Sequence, residues 1–459
     1  SFFFGIVSIL SFFNILYSYY FNLYLNLDTY YFTLIVSSIL FITFFKFGKY
    51  DIKSNIFQRI LTIFFGYLFI PLVLSIPFYF SIYDLTFSNS FFEAISGFTS
   101  TGFTVFDNIK LVDQSLIIWR SSTQWIGGLY FLFSIIYLID IYDDSFKKTL
   151  TNYISFNSSE ILKQAAKIFI LYTSLTILIF IILNIFSIRI FDSLNLALTI
   201  ISSGGFLPVN ELSMIIKENV QIIIFSLLML FSFFSLFFSY NLIFLRKKNV
   251  NFFYEDLHLF AYLVVVVTIF FLFFSFNYDF FINLFAIISS MTNIGFSLNP
   301  GQENLNFIYL ILVIIGGSFF STSSGLRFIK IYSLFKFSLN QILSFSRPKN
   351  VFMNKLIFTK INFNLYEINK YFLTIIIFIL SLFILTSLLS LSGITFVDSF
   401  KLSILTLMNT VNSSIYGLKE FDFYNLQFFS KYCLIFFMIV GRIELLTILL
   451  LIKKFLFKN

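Results

Sequence analysis

Ser96-Gly97-Phe98-Thr99-Ser100-Thr101-Gly102-Phe103 is a run of small and hydroxyl-bearing residues between long apolar stretches. Similar runs recur at 201–206 (Ile-Ser-Ser-Gly-Gly-Phe) and at 291–296 (Met-Thr-Asn-Ile-Gly-Phe), and a degraded copy lies at 410–417. Successive copies are roughly 90 to 120 residues apart, a regular recurrence that indicates internal repeats. Four polar loops among apolar helices predict four walls of one pore.

The composition around these runs is that of a membrane protein. Of the 459 residues, 59% are hydrophobic and 11% are charged, whereas soluble domains carry about 25% charged residues. Long uncharged stretches along the whole chain predict a polytopic α-helical membrane protein. The chain has one Cys and one His, too few Cys for an internal disulfide or a Cys-rich metal site, and the sequence shows no Ser/His/Asp set, HExxH motif or phosphate-binding Gly-rich loop. We therefore expect neither an enzyme nor a nucleic-acid-binding protein.

The order of apolar segments predicts the fold class: an all-α membrane protein with ten transmembrane helices. Two N-terminal helices, Phe2–Tyr20 and Tyr30–Phe45, precede four helix–pore loop–helix repeats around a pseudo-fourfold pore. In each repeat a short apolar piece precedes the loop, and it is too short for the ~20 residues that a span needs, so a re-entrant half-helix is expected. These pieces are Ser90–Ile95, Asp192–Ile201, Phe280–Ser290 and Val397–Met408. The expected divisions are 1–56 for the N-terminal helices and 57–142, 143–248, 249–350 and 351–459 for the repeats.

Charge placement predicts the orientation of the chain. With a cytoplasmic N-terminus, the loops between repeats and the C-terminal tail hold 22 of the 30 Lys and Arg residues. Such a bias obeys the positive-inside rule and predicts a multi-pass protein of the cytoplasmic (inner) membrane, in contact with membrane lipid. The opposite face is acidic, which raises the local concentration of cations.

The polar loops suggest the chemistry of ion selection. Non-helical backbone at membrane depth is tolerated only where it is buried in protein or lines water. Carbonyl groups aimed at a pore axis replace the hydration shell of a K⁺ ion. Glycine permits the tight turns that such a filter needs, because it has no Cβ. The hypothesis is therefore a K⁺ filter built from these loops.

A gate is expected below the filter. The apolar stretch Asn306–Phe337 is too long for one straight span, and its centre, Gly316–Gly325, is small and polar, which predicts a broken helix. Arg442 lies within the last apolar helix, where a charge costs at least ~2.5–3.5 kcal/mol. We expect Arg442 to face the pore as an electrostatic barrier. Glu444 points about 200° away from it on the same helix and is expected to bond a neighbouring helix.

Four motifs are similar to those of one transporter family. They are Phe91 to Gly102, Trp119 to Gly128, the glycine-rich stretch Gly316 to Arg327, and Gly441 to Thr447. On these motifs the chain resembles the Trk/Ktr/HKT superfamily of potassium transporters, specifically its TrkH branch. The resemblance implies K⁺ uptake by a homodimer that often pairs with a cytosolic ring of nucleotide-binding regulatory subunits.

The resemblance also assigns site residues. The filter residues that it implies centre on Thr101-Gly102, on Gly205 or alternatively Gly204, and on Gly295. In full they are Thr99, Ser100, Thr101, Gly102, Ser203, Gly204, Gly205, Asn293, Ile294, Gly295, Ser413, Ser414 and Ile415. The expected gate residues are Gly316, Gly317, Ser318, Ser321, Thr322, Ser323, Ser324, Gly325 and Arg442.

Two departures from the family pattern are visible. Ile415 stands where the alignment places the fourth filter glycine, with Gly417 two residues later, and Phe319 and Phe320 replace small residues in the break. Two alternatives therefore remain open beside K⁺ uptake. One is a weakly selective Na⁺/K⁺ conductor, and the other is a non-conducting membrane subunit that keeps the fold.

Overall fold

The computed structural model describes residues 1–48, 55–138, 161–243, 254–274, 280–298, 305–345, 365–418 and 421–443. Within these ranges the chain forms helices joined by loops, and the only β-type pairing is an isolated bridge between Ile315 and Leu326. The chain is therefore all-helical, as predicted.

The N-terminal helices, Phe2–Tyr20 and Leu27–Phe47, pack against each other and reach the rest of the molecule through polar contacts. The Tyr30 hydroxyl lies 3.0 Å from the Ser115 hydroxyl, and both residues are buried. The Asn26 side-chain amide donates to the Asp113 carboxylate at 3.3 Å. These bonds fix the pair against the helix that begins at Gln114.

Four short helices of 12 residues each follow along the chain, close to the predicted bounds. Short helices 1 to 4 are Phe87–Phe98, Ile190–Ile201, Phe280–Met291 and Phe396–Leu407. Each is about 18 Å long, well below the ~30 Å of a bilayer core. Thr86 caps short helix 1 by accepting the Asn89 N–H at 3.3 Å, and Thr395 caps short helix 4 in the same way.

Longer helical segments flank each short helix. The segments before them are Ile56–Leu74 with Ile76–Tyr79, Ile161–Ile185, Tyr254–Phe274 and Leu365–Leu391. The segments after them are Gln114–Tyr137, Asn219–Phe233 with Leu236–Ile243, Asn306–Ile314 with Phe328–Ser344, and Phe428–Ile443.

Six helices of the described residues are long and apolar enough to cross a membrane. They are Phe2–Tyr20, Leu27–Phe47, Ile56–Tyr79, Gln164–Ile185, Tyr254–Phe273 and Ile368–Leu391. The other four predicted spans are the segments that follow the short helices. These four are not among the long, apolar helices because one is polar along its middle, two are broken, and the last is described only to Ile443. Glu444 and the rest of that predicted helix lie outside the described residues.

Two of these segments are interrupted, and only one interruption was expected. The predicted break at Gly316–Gly325 is present, since helix ends at Ile314 and resumes at Phe328. The second helix of the second predicted repeat, which the sequence pattern offers no reason to divide, breaks at Phe234–Ser235. Ser235 gives both its backbone N–H and its hydroxyl to the Asp256 carboxylate, at 2.8 and 2.7 Å. That carboxylate replaces the helical partner which the sequence pattern assumes.

Candidate functional site

The loops that follow the four short helices share one backbone geometry. In each, the second residue past the helix is left-handed: Ser100, Ser203, Asn293 and Asn409 have φ of 58°, 55°, 59° and 47°. The N–H of Ser100 returns to the Gly97 carbonyl at 2.8 Å, and that of Thr101 returns to the Ser96 carbonyl at 2.9 Å. Loops 2 and 4 repeat this pair of bonds. This is the Schellman termination of a helix, here made with Ser and Asn in the place that glycine usually takes.

This shared geometry gives loop 4 a different register from the one that the sequence suggests. Counting two residues on from the left-handed position gives Gly102 in loop 1, Gly205 in loop 2, Gly295 in loop 3 and Val411 in loop 4. Ile415 instead lies four residues further on, in the 3-10 turn Ser414–Tyr416. By backbone geometry, the residue of loop 4 that is equivalent to the three glycines is Val411 and not the predicted Ile415, because the left-handed Asn409, and not the later Gly417, marks the register.

The four equivalent residues meet at one level of the molecule, and we call them the ring. A Cβ built on Gly102 would lie 2.8 Å from the Gly205 Cα, and one built on Gly295 would lie 2.9 Å from the Val411 carbonyl oxygen. A Cβ on Gly205 would collide with the Val411 side chain. Of the two alternatives in loop 2, Gly205 lies in the ring, whereas Gly204 faces the Gln124 side chain.

Direct side-chain hydrogen bonds connect three of the four neighbouring pairs of loops around the ring. Ser203 donates to the Thr292 carbonyl at 2.7 Å, which joins loop 2 to loop 3. Asn293 donates to the Thr410 hydroxyl at 3.3 Å, which joins loop 3 to loop 4. Asn409 donates to the Thr101 hydroxyl at 3.0 Å, which joins loop 4 to loop 1. The left-handed residues thus hold the loops together as well as turning the chain.

Arg442 completes this circuit between loops 1 and 2. Its guanidinium donates to the Ser100 hydroxyl at 3.3 Å and to the Ser202 carbonyl at 3.4 Å. A further bond runs to the Ser324 hydroxyl, and the group lies 4.3 Å from the centre of the Phe131 ring. Arg442 is 1% exposed, so its charge is held by hydroxyl, carbonyl and aromatic groups at the centre of the molecule.

A cavity of about 430 Å³ lies on one side of the ring, and all four ring residues line it. Ser413 and Ser414, which were predicted as filter residues, line this cavity but lie outside the ring. Asp107, Glu211 and Asp422 outnumber Arg120 in the lining of this cavity and make the lining acidic. Partial burial works to raise the pKa of Asp422, but hydrogen bonds from Asn425 and from the Tyr424 backbone, together with the charge of Lys431, hold this pKa below its ordinary value. Asp422 therefore carries its negative charge at neutral pH.

The break segment Gly316–Gly325 lies on the other side of the ring. The two ends of this segment meet where the Gly316 N–H donates to the Leu326 carbonyl at 2.9 Å. Ser323 donates to the Asn293 side chain at 2.7 Å, and Thr322 donates to the Ile201 carbonyl at 2.7 Å. The predicted gate residues are thus brought together directly beneath loops 2 and 3, and Ser324 meets Arg442 there.

Several charged residues around this site were not predicted to act together. Arg327 closes the break segment by donating to the carbonyls of Ser318 and Ser323 at 3.1 and 3.0 Å. Glu255, which lies in the first helix of the third predicted repeat, accepts the Phe319 N–H at 2.8 Å. Next to it, Asp256 holds the other break at Ser235. Adjacent carboxylates therefore clamp both breaks.

A buried ion pair supports the chain beyond loop 1. The Arg120 guanidinium lies 2.8 Å from the Glu93 carboxylate, and both side chains are fully buried. Glu93 also accepts the Val105 N–H at 2.9 Å, and Arg120 lies 4.3 Å from the centre of the Phe206 ring. A signal for this pair was present, since each residue is an isolated charge in an apolar stretch of the same predicted repeat. Its spacing along the chain does not reveal that the two meet.

Glycines in the flanking helices let them approach the short helices closely. A Cβ on Gly127 would collide with the carbonyl oxygen of Phe98, the last residue of short helix 1. A Cβ on Gly441 would likewise collide with the carbonyl oxygen of Leu407, the last residue of short helix 4. Two of the motifs quoted above are therefore packing surfaces against the loops.

Comparison with known proteins places this geometry in context. No protein-family model matches the chain. An uncharacterized cation transporter of Methanocaldococcus jannaschii is 24% identical over 412 residues, which cover 84% of this chain and 80% of that protein. The Trk system potassium uptake protein TrkG of Escherichia coli is 24% identical over 403 residues, covering 82% and 80%.

The crystal structure of the potassium transporter TrkH from Vibrio parahaemolyticus has the same fold. It superposes with a TM-score of 0.83 over 99% of this chain and 98% of TrkH, at 19% sequence identity. The resemblance drawn from the motifs is therefore confirmed: the chain has homologues among the Trk potassium uptake proteins and folds as TrkH does.

Proposed function

We propose that this protein carries K⁺ across the cytoplasmic membrane through a channel-like pore. The observation that carries the proposal is the circuit of hydrogen bonds that joins four equivalent loops around the ring of three glycines and Val411. An acidic cavity lies on one side of this ring and a break in a helix on the other. Relatives named for potassium uptake favour K⁺ as the ion.

The ring and the loops act as the filter in this proposal. K⁺ gathers in the cavity because Asp107, Glu211 and Asp422 make its lining negative. The ion then exchanges water for backbone oxygens of the loops. The carboxyl ends of the four short helices lie at the loops, and their partial negative charges favour a cation there. The fourth wall of the filter is Thr410–Asn412, in place of Ser413, Ser414 and Ile415.

The gate consists of the break segment and Arg442. The break segment is bonded to loops 2 and 3, and the positive charge of Arg442 is bonded to loops 1 and 2. A cation that leaves the ring on this side meets both. Displacement of the segment opens the path in this scheme, while the charge limits the flux.

The proposal also includes the repeats, the number of spans, the orientation and the partners that the sequence led us to expect. The four units of helix, short helix, loop and helix act as repeats around a pseudo-fourfold axis, and with the N-terminal pair they give ten spans with the N-terminus in the cytoplasm. The homodimer and the cytosolic nucleotide-binding regulatory subunit come from the family resemblance alone. A second candidate function, a weakly selective Na⁺/K⁺ conductor, is favoured by one observation: Val411 stands in the ring where the other loops have glycine.

A matched pair of glycine substitutions tests the pore. Gly102→Asp or Gly295→Asp should abolish Rb⁺ and K⁺ uptake, because either side chain would enter the closely packed ring. Gly393→Asp is the control, since Gly393 also has a positive φ but has no heavy atom near its absent Cβ. The host is a cell that lacks its own K⁺ uptake, and each variant is quantified in the membrane. Normal uptake by well-inserted Gly102→Asp and Gly295→Asp variants would refute the pore assignment.

A further inference from the structure

Val411 interrupts the ring of glycines at one of its four positions. Gly102, Gly205 and Gly295 occupy the equivalent places in the other loops, each four residues past the end of its short helix. Val411 has the same place after Leu407 and is 8% exposed. One wall of the ring therefore carries an isopropyl group where the other three carry a hydrogen atom.

The side chain of Val411 reaches the opposite and the adjacent walls. A Cβ built on Gly205, in the opposite loop, would lie 2.9 Å from both methyl carbons of Val411. A Cβ built on Gly295 would lie 3.0 Å from one of them. Because these built atoms are only one bond from real Cα atoms, the isopropyl group packs against the backbone of two other walls. It occupies the space that the absence of side chains at Gly205 and Gly295 leaves open.

An apolar group in this position has two consequences for a passing ion. It offers no oxygen to an ion that has shed water, and apolar constrictions impede conduction by excluding water. Its χ1 is restricted by β-branching, so the group moves aside less readily than an unbranched side chain. The neighbouring bonds restrict it further, since the Thr410 hydroxyl accepts from Asn293 and Asn409 is tied to loop 1.

We propose that Val411 is an apolar constriction that limits permeation through the ring and sets an upper size for the ion. This inference rests on the proposed function of the same site. The native protein then transports K⁺ slowly and excludes Cs⁺. Removal of the isopropyl group widens the ring, and the gain is greater for the larger ion.

The test measures Rb⁺ and Cs⁺ uptake by the full-length protein in proteoliposomes, with Val411→Ala and Val411→Gly compared with the native chain. We expect Rb⁺ uptake to rise in the order Val, Ala, Gly, by at least roughly fivefold for Gly, and Cs⁺ uptake to rise by a larger factor. Ile415→Val is the matched control, because it trims a buried aliphatic residue of the same loop outside the ring. Size-exclusion profiles of the purified proteins check folding.

The outcomes separate this inference from the proposed function. Uptake by the native protein that Gly102→Asp abolishes, together with unchanged rates for Val411→Gly, overturns the constriction and leaves the pore intact. A rise with Ile415→Val equal to that with Val411→Ala also overturns it, because the effect would then belong to loop packing. Absence of uptake in the native and Val411→Gly proteins alike overturns both proposals. Uptake that appears only in Val411→Gly supports the constriction.

Discussion

The left-handed residues of the four loops do two things at once. Ser100, Ser203, Asn293 and Asn409 end their helices, and three of them also bond the next loop through their side chains. Glycine would turn the chain equally well but would supply no such bond. Asn tolerates the left-handed region better than most residues and adds an amide that bridges loops. The residue type at this position therefore reflects the hydrogen bonds between loops as much as it reflects the left-handed turn.

Asn409 allows these two roles to be separated by mutation. Asn409→Gly keeps the left-handed turn but removes the bonds to Thr101 and to the Met438 carbonyl. Asn409→Ala removes the bonds and also strains the turn, by about 1–2 kcal/mol. We expect Asn409→Gly to insert normally and to discriminate K⁺ from Na⁺ several-fold less well than the native protein, and Asn409→Ala to be less stable as well.

The measurement for Asn409 is Rb⁺ uptake against Na⁺ competition, with thermal unfolding of the purified variants. Each lost hydrogen bond accounts for about 1 kcal/mol. Unchanged selectivity in Asn409→Gly would show that the bonds between loops have no part in ion discrimination.

At the scale of elements, the two interrupted helices form one unit. The Ser318 N–H donates to the Phe233 carbonyl at 3.0 Å, and the Leu236 N–H donates to the Phe320 carbonyl at 2.9 Å. Each break thus satisfies backbone groups that the other leaves without a helical partner, as buried polar groups require. The break segment consequently cannot move without disturbing Phe234–Ser235, and a gate built here includes both elements.

Arg442 joins this unit to loops 1 and 2, and its charge and its bonds have separable effects. Arg442→Gln removes the charge and keeps a side chain that donates hydrogen bonds, whereas Ser324→Ala removes one bond and keeps the charge. If the charge is the barrier, Arg442→Gln should raise Rb⁺ uptake several-fold, and Ser324→Ala should change it much less. Uptake rates over a range of Rb⁺ concentrations decide this. Native rates in Arg442→Gln, or an equal rise in Ser324→Ala, would show that the bonds rather than the charge control the path.

At the scale of the whole molecule, the six candidate spans are at most half buried, whereas the polar helix Gln114–Tyr137 is surrounded by protein. The six candidate spans comprise the N-terminal pair and the four helices that precede the short helices. The helix Gln114–Tyr137 is almost entirely buried despite Arg120, Ser121 and Gln124 in its middle. A helix that is surrounded by protein satisfies its polar groups there, so it need not be apolar enough for lipid.

The proposed orientation is testable with engineered thiols in a Cys433→Ser background. Asp107 is exposed at the acidic cavity, and Gln341 is exposed near the end of Phe328–Ser344. We expect Asp107→Cys to react with a membrane-impermeant maleimide in intact cells. Gln341→Cys should react only after permeabilisation, because the basic segment around it belongs inside under the positive-inside rule. The reverse labelling pattern would refute the orientation.

The sequence by itself determined the membrane class, the all-helical fold, the positions of the short helices and the break at Gly316–Gly325. These follow from hydrophobicity and from clusters of small polar residues, which are local properties of the chain. It also indicated three of the four ring positions, with Gly204 left as an alternative to Gly205, because the glycine-bearing runs are visible in the chain. The motifs that indicated the family are likewise local features that can be read directly from the sequence.

Only the tertiary structure decided the fourth wall, the second break and the partners of the buried charges. The register of loop 4 depends on where short helix 4 ends and on Asn409 turning left-handed, and the glycine that drew attention, Gly417, serves a later turn. The break at Ser235 depends on Asp256, and the burial of Arg120 depends on Glu93. Each of these features is fixed by a group distant in sequence, because a buried polar or charged group is stable only where the fold brings it a partner.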